Sequence, residues 1–183
     1  TEEITGVDLV EWQLRVASGE PLPLKQDELR IDGHAIEARL YAEDPAKGFL
    51  PSTGRLERFE INVEDVRVET GVEQGSAVSP FYDPMIAKII AHNSDRDAAI
   101  AALKESLAGT AVWPVKSNAA FLHRLLEDFD FLNGSMTTGL IETRGDALIP
   151  ETSPSEAVLQ TAALHLQREF VGLSIPVLKD TQL

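Results

Sequence analysis

Apolar positions in the first stretch of the chain recur at helical spacing. Val7, Val10, Leu14 and Ala17 fall on one stripe and predict a helix over residues 6–17. Thr5 is the expected cap, with Asp8 three residues on, and Gly19 and Pro21 supply the expected stop. From about Glu28 the period falls to two. Over residues 33–42, Ile36, Ala38 and Leu40 share one face of a predicted strand, and Glu37, Arg39 and Tyr41 share the other. A loop marked by Asp44-Pro45, Gly48, Pro51 and Gly54 follows. Short strands are then expected over residues 54–61, 66–70 and 85–92, punctuated by Gly71, Gly75, Ser79-Pro80 and Pro84.

Helical spacing returns over residues 95–108, with Ser94 as cap, and over 118–129, with Ser117 as cap and Phe121, Leu122, Leu125 and Leu126 facing inward. Residues 139–143 are expected to add a last short strand. Residues 150–154 read as a Pro-, Thr- and Ser-containing linker, and 156–170 as a further helix. The tail from Val171 to Leu183 has no evident partner. Strands and helices are segregated rather than alternating, which predicts an α+β fold with an antiparallel sheet flanked by helices.

Charge narrows the function. Across 183 residues there are 16 Lys and Arg against 30 Asp and Glu, a net charge of −14. So acidic a body repels phosphate backbones and anionic lipid surfaces, which argues against nucleic-acid and membrane partners. The chain has no cysteine, which excludes a disulfide scaffold, a thiolate zinc site and a cysteine nucleophile. No apolar run approaches the roughly 20 residues of a membrane span. The opening Thr1-Glu2-Glu3, without a signal peptide or initiator Met, reads as that of a fragment or a processed product.

Several chemistries have no footing. The sequence contains no Gly-rich phosphate loop and no G-x-S-x-G elbow. His34, His92, His123 and His165 lack metal-ligand spacing, so no metal site is expected. No lysine lies between two methionines, the pattern of a biotin-attachment site; the methionines are Met85 and Met136. Two features remain. In the first, Arg39 stands between Glu37 and Tyr41 on one strand face. A carboxylate two residues away can hold the guanidinium in one orientation, and the free edge of the planar fork can grip an oxyanion. In the second, Ser79-Pro80-Phe81-Tyr82-Asp83-Pro84-Met85-Ile86, two prolines fix a bend that sets Tyr82 and Asp83 just before an apolar strand. Each also has a plain reading, as a solvated ion pair and as a capped turn.

These segments, in this order, resemble the C-terminal domain of biotin carboxylase. The resemblance is carried by Ile4-Thr5-Gly6-Val7-Asp8-Leu9-Val10, by Gly33-His34-Ala35-Ile36-Glu37-Ala38-Arg39 with Ala42-Glu43-Asp44-Pro45, by Phe49-Leu50-Pro51-Ser52-Thr53-Gly54, by Tyr82-Asp83-Pro84-Met85-Ile86-Ala87-Lys88 and by Ser117-Asn118. It extends over residues 1–143, and 144–183 are expected to lead toward a downstream carrier or bridging region. Val112-Trp113-Pro114-Val115 departs from the family's usual Gly-Ile or Gly-Val at that place.

The resemblance implies a fold of the rudiment single hybrid motif type and membership of the biotin-carboxylase subunit of an acetyl-, propionyl- or methylcrotonyl-CoA carboxylase. Such a subunit is an ATP-grasp ligase that uses MgATP and bicarbonate to carboxylate N1 of biotin carried on a partner domain. By the same resemblance Arg39 is the catalytic arginine and Glu37 orients it. Tyr82 and Asp83 flank the biotin pocket, and Arg67 falls near a dimer contact. ATP and Mg2+ would be bound by a preceding part of the subunit. Implied partners are the N-terminal and ATP-grasp domains, a biotin carboxyl carrier domain, a carboxyltransferase subunit and, in some arrangements, a second copy. The implied setting is the bacterial cytoplasm or the mitochondrial matrix, in fatty acid metabolism. The fragment alone is expected to be inactive. The alternatives are a non-catalytic dimerisation or docking domain of the same fold, and a related ATP-grasp ligase of purine synthesis.

Overall fold

The alternation of Ile36, Ala38 and Leu40 builds the first long strand of the first unit, an edge strand of its three-stranded sheet. The computed structural model describes residues 1–151 and 153–172. It divides into Thr1–Pro150 and a second unit from Glu151.

The first unit opens with α1 (Glu2–Thr5), α2 (Leu9–Ala17) and β1 (His34–Tyr41). There follow β2 (Glu43–Asp44), a 3-10 turn over Pro45–Lys47, β3 (Leu50–Pro51), β4 (Gly54–Arg55), β5 (Arg58–Glu60), β6 (Val66–Glu69), β7 (Ala77–Val78) and β8 (Met85–Asn93). Then come α3 (Arg96–Ala108), β9 (Ala111–Trp113), α4 (Ala119–Leu125), α5 (Phe129–Leu132), α6 (Leu140–Arg144) and a 3-10 turn over Gly145–Leu148.

β8 runs antiparallel between β1 and β6 in a three-stranded sheet. The pairs β2–β3, β4–β7 and β5–β9 are antiparallel two-stranded ladders. This is the α+β arrangement the pattern predicts. The inner face of the sheet presents Ala38, Leu40, Ala87, Ile89 and Ala91 to Ile100, Leu103 and Leu107 of α3, and Leu56, Val115 and Leu126 close the same core. Removing this apolar surface from water, at roughly 25 cal/mol per Å2, is the main force holding the sheet on its helix. Gly33 enters β1 at φ 63°, where a Cβ would run into the Asn93 carbonyl across the ladder. Glycine alone allows that approach.

Several helix ends differ from the sequence expectation. Gly6 is the left-handed C-cap of α1 (φ 67°), so the first predicted helix is two helices, and Asp8 rather than Thr5 caps α2 by accepting from Glu11 N–H. Val7 is buried, but Val10 and Leu14 are 64% and 66% exposed, so the predicted stripe is not a core face of this unit. Asp95 rather than Ser94 caps α3 through Ala98 N–H at 2.8 Å. The helix expected over 118–129 breaks near Leu126, and Asp128 restarts it as α5. Where a strand is expected over 139–143, residues 140–144 form α6, and Arg144 at its end pairs with Asp128 at 2.6 Å and Asp130 at 2.5 Å.

In the second unit, α7 (Glu156–Gly172) is the predicted helix, and Val158, Leu159, Leu164 and Leu166 are exposed on it. Of the tail from Val171, residues 173–183 lie outside the described residues.

Candidate functional site

β1 turns Glu37 and Arg39 to the face opposite the core. Glu37 Oε1 accepts from Arg39 Nε at 2.9 Å. The guanidinium is held in its charged form first by that bond and then by Tyr41. The ion pair engages Nε, and no carboxylate among the described residues pairs with the two terminal nitrogens. A guanidinium fixed through Nε keeps a planar two-donor edge for an anion.

The strand beneath is clamped from a distance. Asn118 is buried, its side-chain amide donates to the Arg39 carbonyl at 3.2 Å, and its Oδ1 accepts from Tyr41 N–H at 2.9 Å. Asn118 N–H donates in turn to the Tyr41 carbonyl at 3.2 Å. Backbone positions 39–41 are thereby fixed to the start of α4.

Two neighbouring strands extend the charged face. Opposite Arg39 on β8 stands Lys88, and opposite Lys88 on β6 stands Glu69. Lys88 is ion-paired with Glu69, which also binds Arg67. Arg67 reaches Glu2 and Glu3 of α1 at 3.0 Å each. Lys88 and Arg67 hold the Glu69 carboxyl below its ordinary range, Lys88 being the larger cause. Between this face and α1–α2 runs a groove of about 440 Å3 lined in part by Glu37, Arg67, Glu69, Lys88 and Ile90.

The Tyr82–Asp83 corner is joined to the end of β1. Ala42 N–H donates to the Pro84 carbonyl at 2.8 Å, and Asp83 Oδ1 accepts from Met85 N–H at 2.8 Å. Asp83 lies close enough to Glu43 to help raise that carboxyl above its usual range, although burial is the larger cause. Tyr82 is 84% exposed. The structure thus brings Glu37, Arg39, Tyr41 and Lys88 together on one face. Arg67 sits on that face two strands away, and Tyr82 and Asp83 stand at its end without a hydrogen bond to Arg39 among the described residues. Among the described residues no three His, Cys, Asp or Glu gather as a metal site, and no helix is long and apolar enough to cross a membrane.

Residues 37–143 match the family model described as the biotin carboxylase C-terminal domain. The chain belongs to this family. It is 47% identical over 184 residues to the mitochondrial methylcrotonoyl-CoA carboxylase subunit alpha of Arabidopsis thaliana, covering 99% of this chain and 25% of that protein. It is 44% identical over 142 residues to the biotin carboxylase of Halalkalibacterium halodurans, covering 77% of this chain and 31% of that one. Among solved structures it is similar to the biotin carboxylase domain dimer of Hydrogenobacter thermophilus 2-oxoglutarate carboxylase, crystallised with MgADP, ADP and bicarbonate. The TM-score is 0.78 and the identity 36%, over 83% of this chain and 34% of that one. The chain thus spans a quarter to a third of the length of these proteins.

Two residues of the biotin carboxylase C-terminal face carry structural roles that sequence reasoning does not assign them. Asn118 reads as part of a helix start, whereas its amide grips β1. Lys88 reads as one position of an apolar strand. Its signal was the two-residue period of β8, which turns Lys88 away from the flanking core residues Ala87 and Ile89.

Proposed function

We propose that this chain is the C-terminal part of the biotin carboxylase component of a biotin-dependent acyl-CoA carboxylase, which carboxylates biotin N1 with ATP and bicarbonate. The observation that carries this reading is Arg39, held through Nε by Glu37 and through its backbone by Asn118, with no carboxylate among the described residues on its terminal nitrogens.

In this role Arg39 is catalytic. Its edge would hold the ureido oxygen of biotin as negative charge develops there, and a delocalised cation already oriented needs no reorganisation at that moment. Glu37 is a positioning residue. Tyr82, exposed at the end of the same face, would flank the bicyclic ring, and Asp83 fixes the corner that presents it through Met85 N–H. Biotin would arrive on a separate carrier domain. ATP and Mg2+ are assigned to the N-terminal and ATP-grasp segments of the subunit, which the relatives' greater length accommodates. Residues 1–143 form the domain proper, of the rudiment single hybrid motif type, and 144–183 lead toward the carrier or a carboxyltransferase subunit. Arg67 would approach a second copy, in keeping with the dimer named for the Hydrogenobacter relative. The acyl-CoA belongs to the carboxyltransferase, with methylcrotonyl-CoA favoured by the Arabidopsis relative. The compartment would be the mitochondrial matrix or the bacterial cytoplasm; the Arabidopsis relative is named as mitochondrial.

The test is made in the full subunit. Arg39→Ala is expected to lower the kcat of biotin carboxylation by about 10²–10³, the loss typical of one oxyanion donor, with the KM for ATP unchanged. Normal turnover by that variant would end the proposal.

A further inference from the structure

Across the sheet, the cations and anions of the outer face form a continuous row. Arg39 and Lys88 are direct cross-strand neighbours, and like charges so placed destabilise a sheet unless anions stand beside them. Here each cation has its own carboxylate: Arg39 has Glu37, two residues along the same strand, and Lys88 has Glu69, on the strand beyond it. Lys88 lies within electrostatic reach of both members of the Arg39–Glu37 pair. Glu69 stands two strands from Arg39, roughly 10 Å between backbones at ordinary strand spacing, a span that an extended Glu and an extended Arg bridge together. Glu69 is therefore a rival to Glu37 for the guanidinium, and Lys88 stands between them.

We propose that Lys88 is a positioning residue for Arg39: by engaging Glu69 it keeps that carboxylate from drawing the guanidinium across the sheet, so that Arg39 stays on Glu37 with its terminal edge open. The inference rests on the proposed biotin carboxylase reading and adds to it the reason the arginine faces one way. Arg67 supports the arrangement by binding Glu69 from the far side while anchored to Glu2 and Glu3. With Lys88 neutralised, Arg67 alone faces three carboxylates, Glu2, Glu3 and Glu69, and Glu69 is the one with Arg39 within reach.

The experiment uses the full subunit, with free biotin as the acceptor. Lys88→Met is expected to lower kcat/KM for biotin about tenfold, a typical coupling between contacting residues, with the KM for ATP unchanged. Lys88→Arg, which keeps the charge, is expected to stay within about threefold of the parent. The deciding variant is Lys88→Met combined with Glu69→Gln. It removes the rival carboxylate with its keeper and should recover to within about threefold of the parent. A merely structural ion pair would show in Lys88→Met as a lowered melting temperature with kcat/KM for biotin per folded subunit unchanged; that result overturns the proposal, as does a double variant that stays as impaired in kcat/KM as Lys88→Met. If Lys88→Met does not fold, the double variant still decides against the parent. Arg39→Ala, run alongside, reports separately on the biotin carboxylase reading, since normal turnover there would remove that reading whatever Lys88 does.

Discussion

Replacing Asn118 by Ala tests whether the site strand is held from the far end of the domain. The substitution removes two hydrogen bonds, from the Asn118 amide to the Arg39 carbonyl and from Tyr41 N–H to Asn118 Oδ1. Both backbone groups are part-buried, so they lose their partners without full access to water, and each orphaned group costs about 1–3 kcal/mol. Two such groups sum to about 2–6 kcal/mol, and because cross-strand bonding of β1 to β8 persists the loss falls at the lower end, about 2–3 kcal/mol. For a domain of this size each kcal/mol moves the melting temperature by roughly 2–4 °C. Asn118→Ala is therefore expected to melt about 5–10 °C below the parent in a circular-dichroism scan. Amide exchange sharpens the assignment: protection of Tyr41 N–H should fall more than that of Ile89 N–H in the sheet centre. A melting temperature within 2 °C of the parent, with Tyr41 still protected, would show that the clamp contributes nothing and refute the reasoning.

Two further outcomes follow from the helix ends. Asp95→Ala should destabilise the domain by about 1 kcal/mol through loss of the α3 cap, while Ser94→Ala should be within about 0.5 kcal/mol of the parent; urea midpoints separate the two, and the opposite ranking would reassign the cap. Arg144 holds the Asp128 carboxyl below its ordinary range, with bonds from Asp130 and Phe131 N–H adding to the effect. A carboxyl depressed in the folded state stabilises fully above its unfolded pKa of about 3.9, and that share is lost as pH falls toward the folded value. The acid side of the stability profile below about pH 4 should thus be shallower in Arg144→Gln than in the parent, as melting scans between pH 2.5 and 6 would reveal; superimposable acid limbs would contradict the pair.

The chemical face of β1 was legible because a period of two sorts side chains without reference to any partner. Ile36, Ala38 and Leu40 declare the core, and Glu37 and Arg39 declare the opposite face. The caps were harder. Thr5 competes with Asp8, Ser94 with Asp95 and Ser117 with Asn118, two capping residues within reach of each start, and only backbone dihedrals decide between them. The strand expected at 139–143 failed for another reason: α6 is held by Arg144 on Asp128 and Asp130, a tertiary contact that five residues of local pattern do not encode. The site's hidden members share that origin. Nothing near Asn118 or Lys88 in sequence announces Arg39, because cross-strand register and a clamp from the start of α4 bring them together.

The Asn118 clamp also governs the order of events during synthesis. It closes loops of 77 and 79 residues, and contacts so distant along the chain form late and slow folding relative to local ones. As the polypeptide leaves the ribosome, β1 waits for β8 to supply its ladder partner, and the carbonyl of the key arginine waits longer still. Until residue 118 has emerged, a nascent chain carries the Glu37–Arg39 segment without its lock, so a ribosome paused between those two points should hold a sheet already paired and a strand end not yet set.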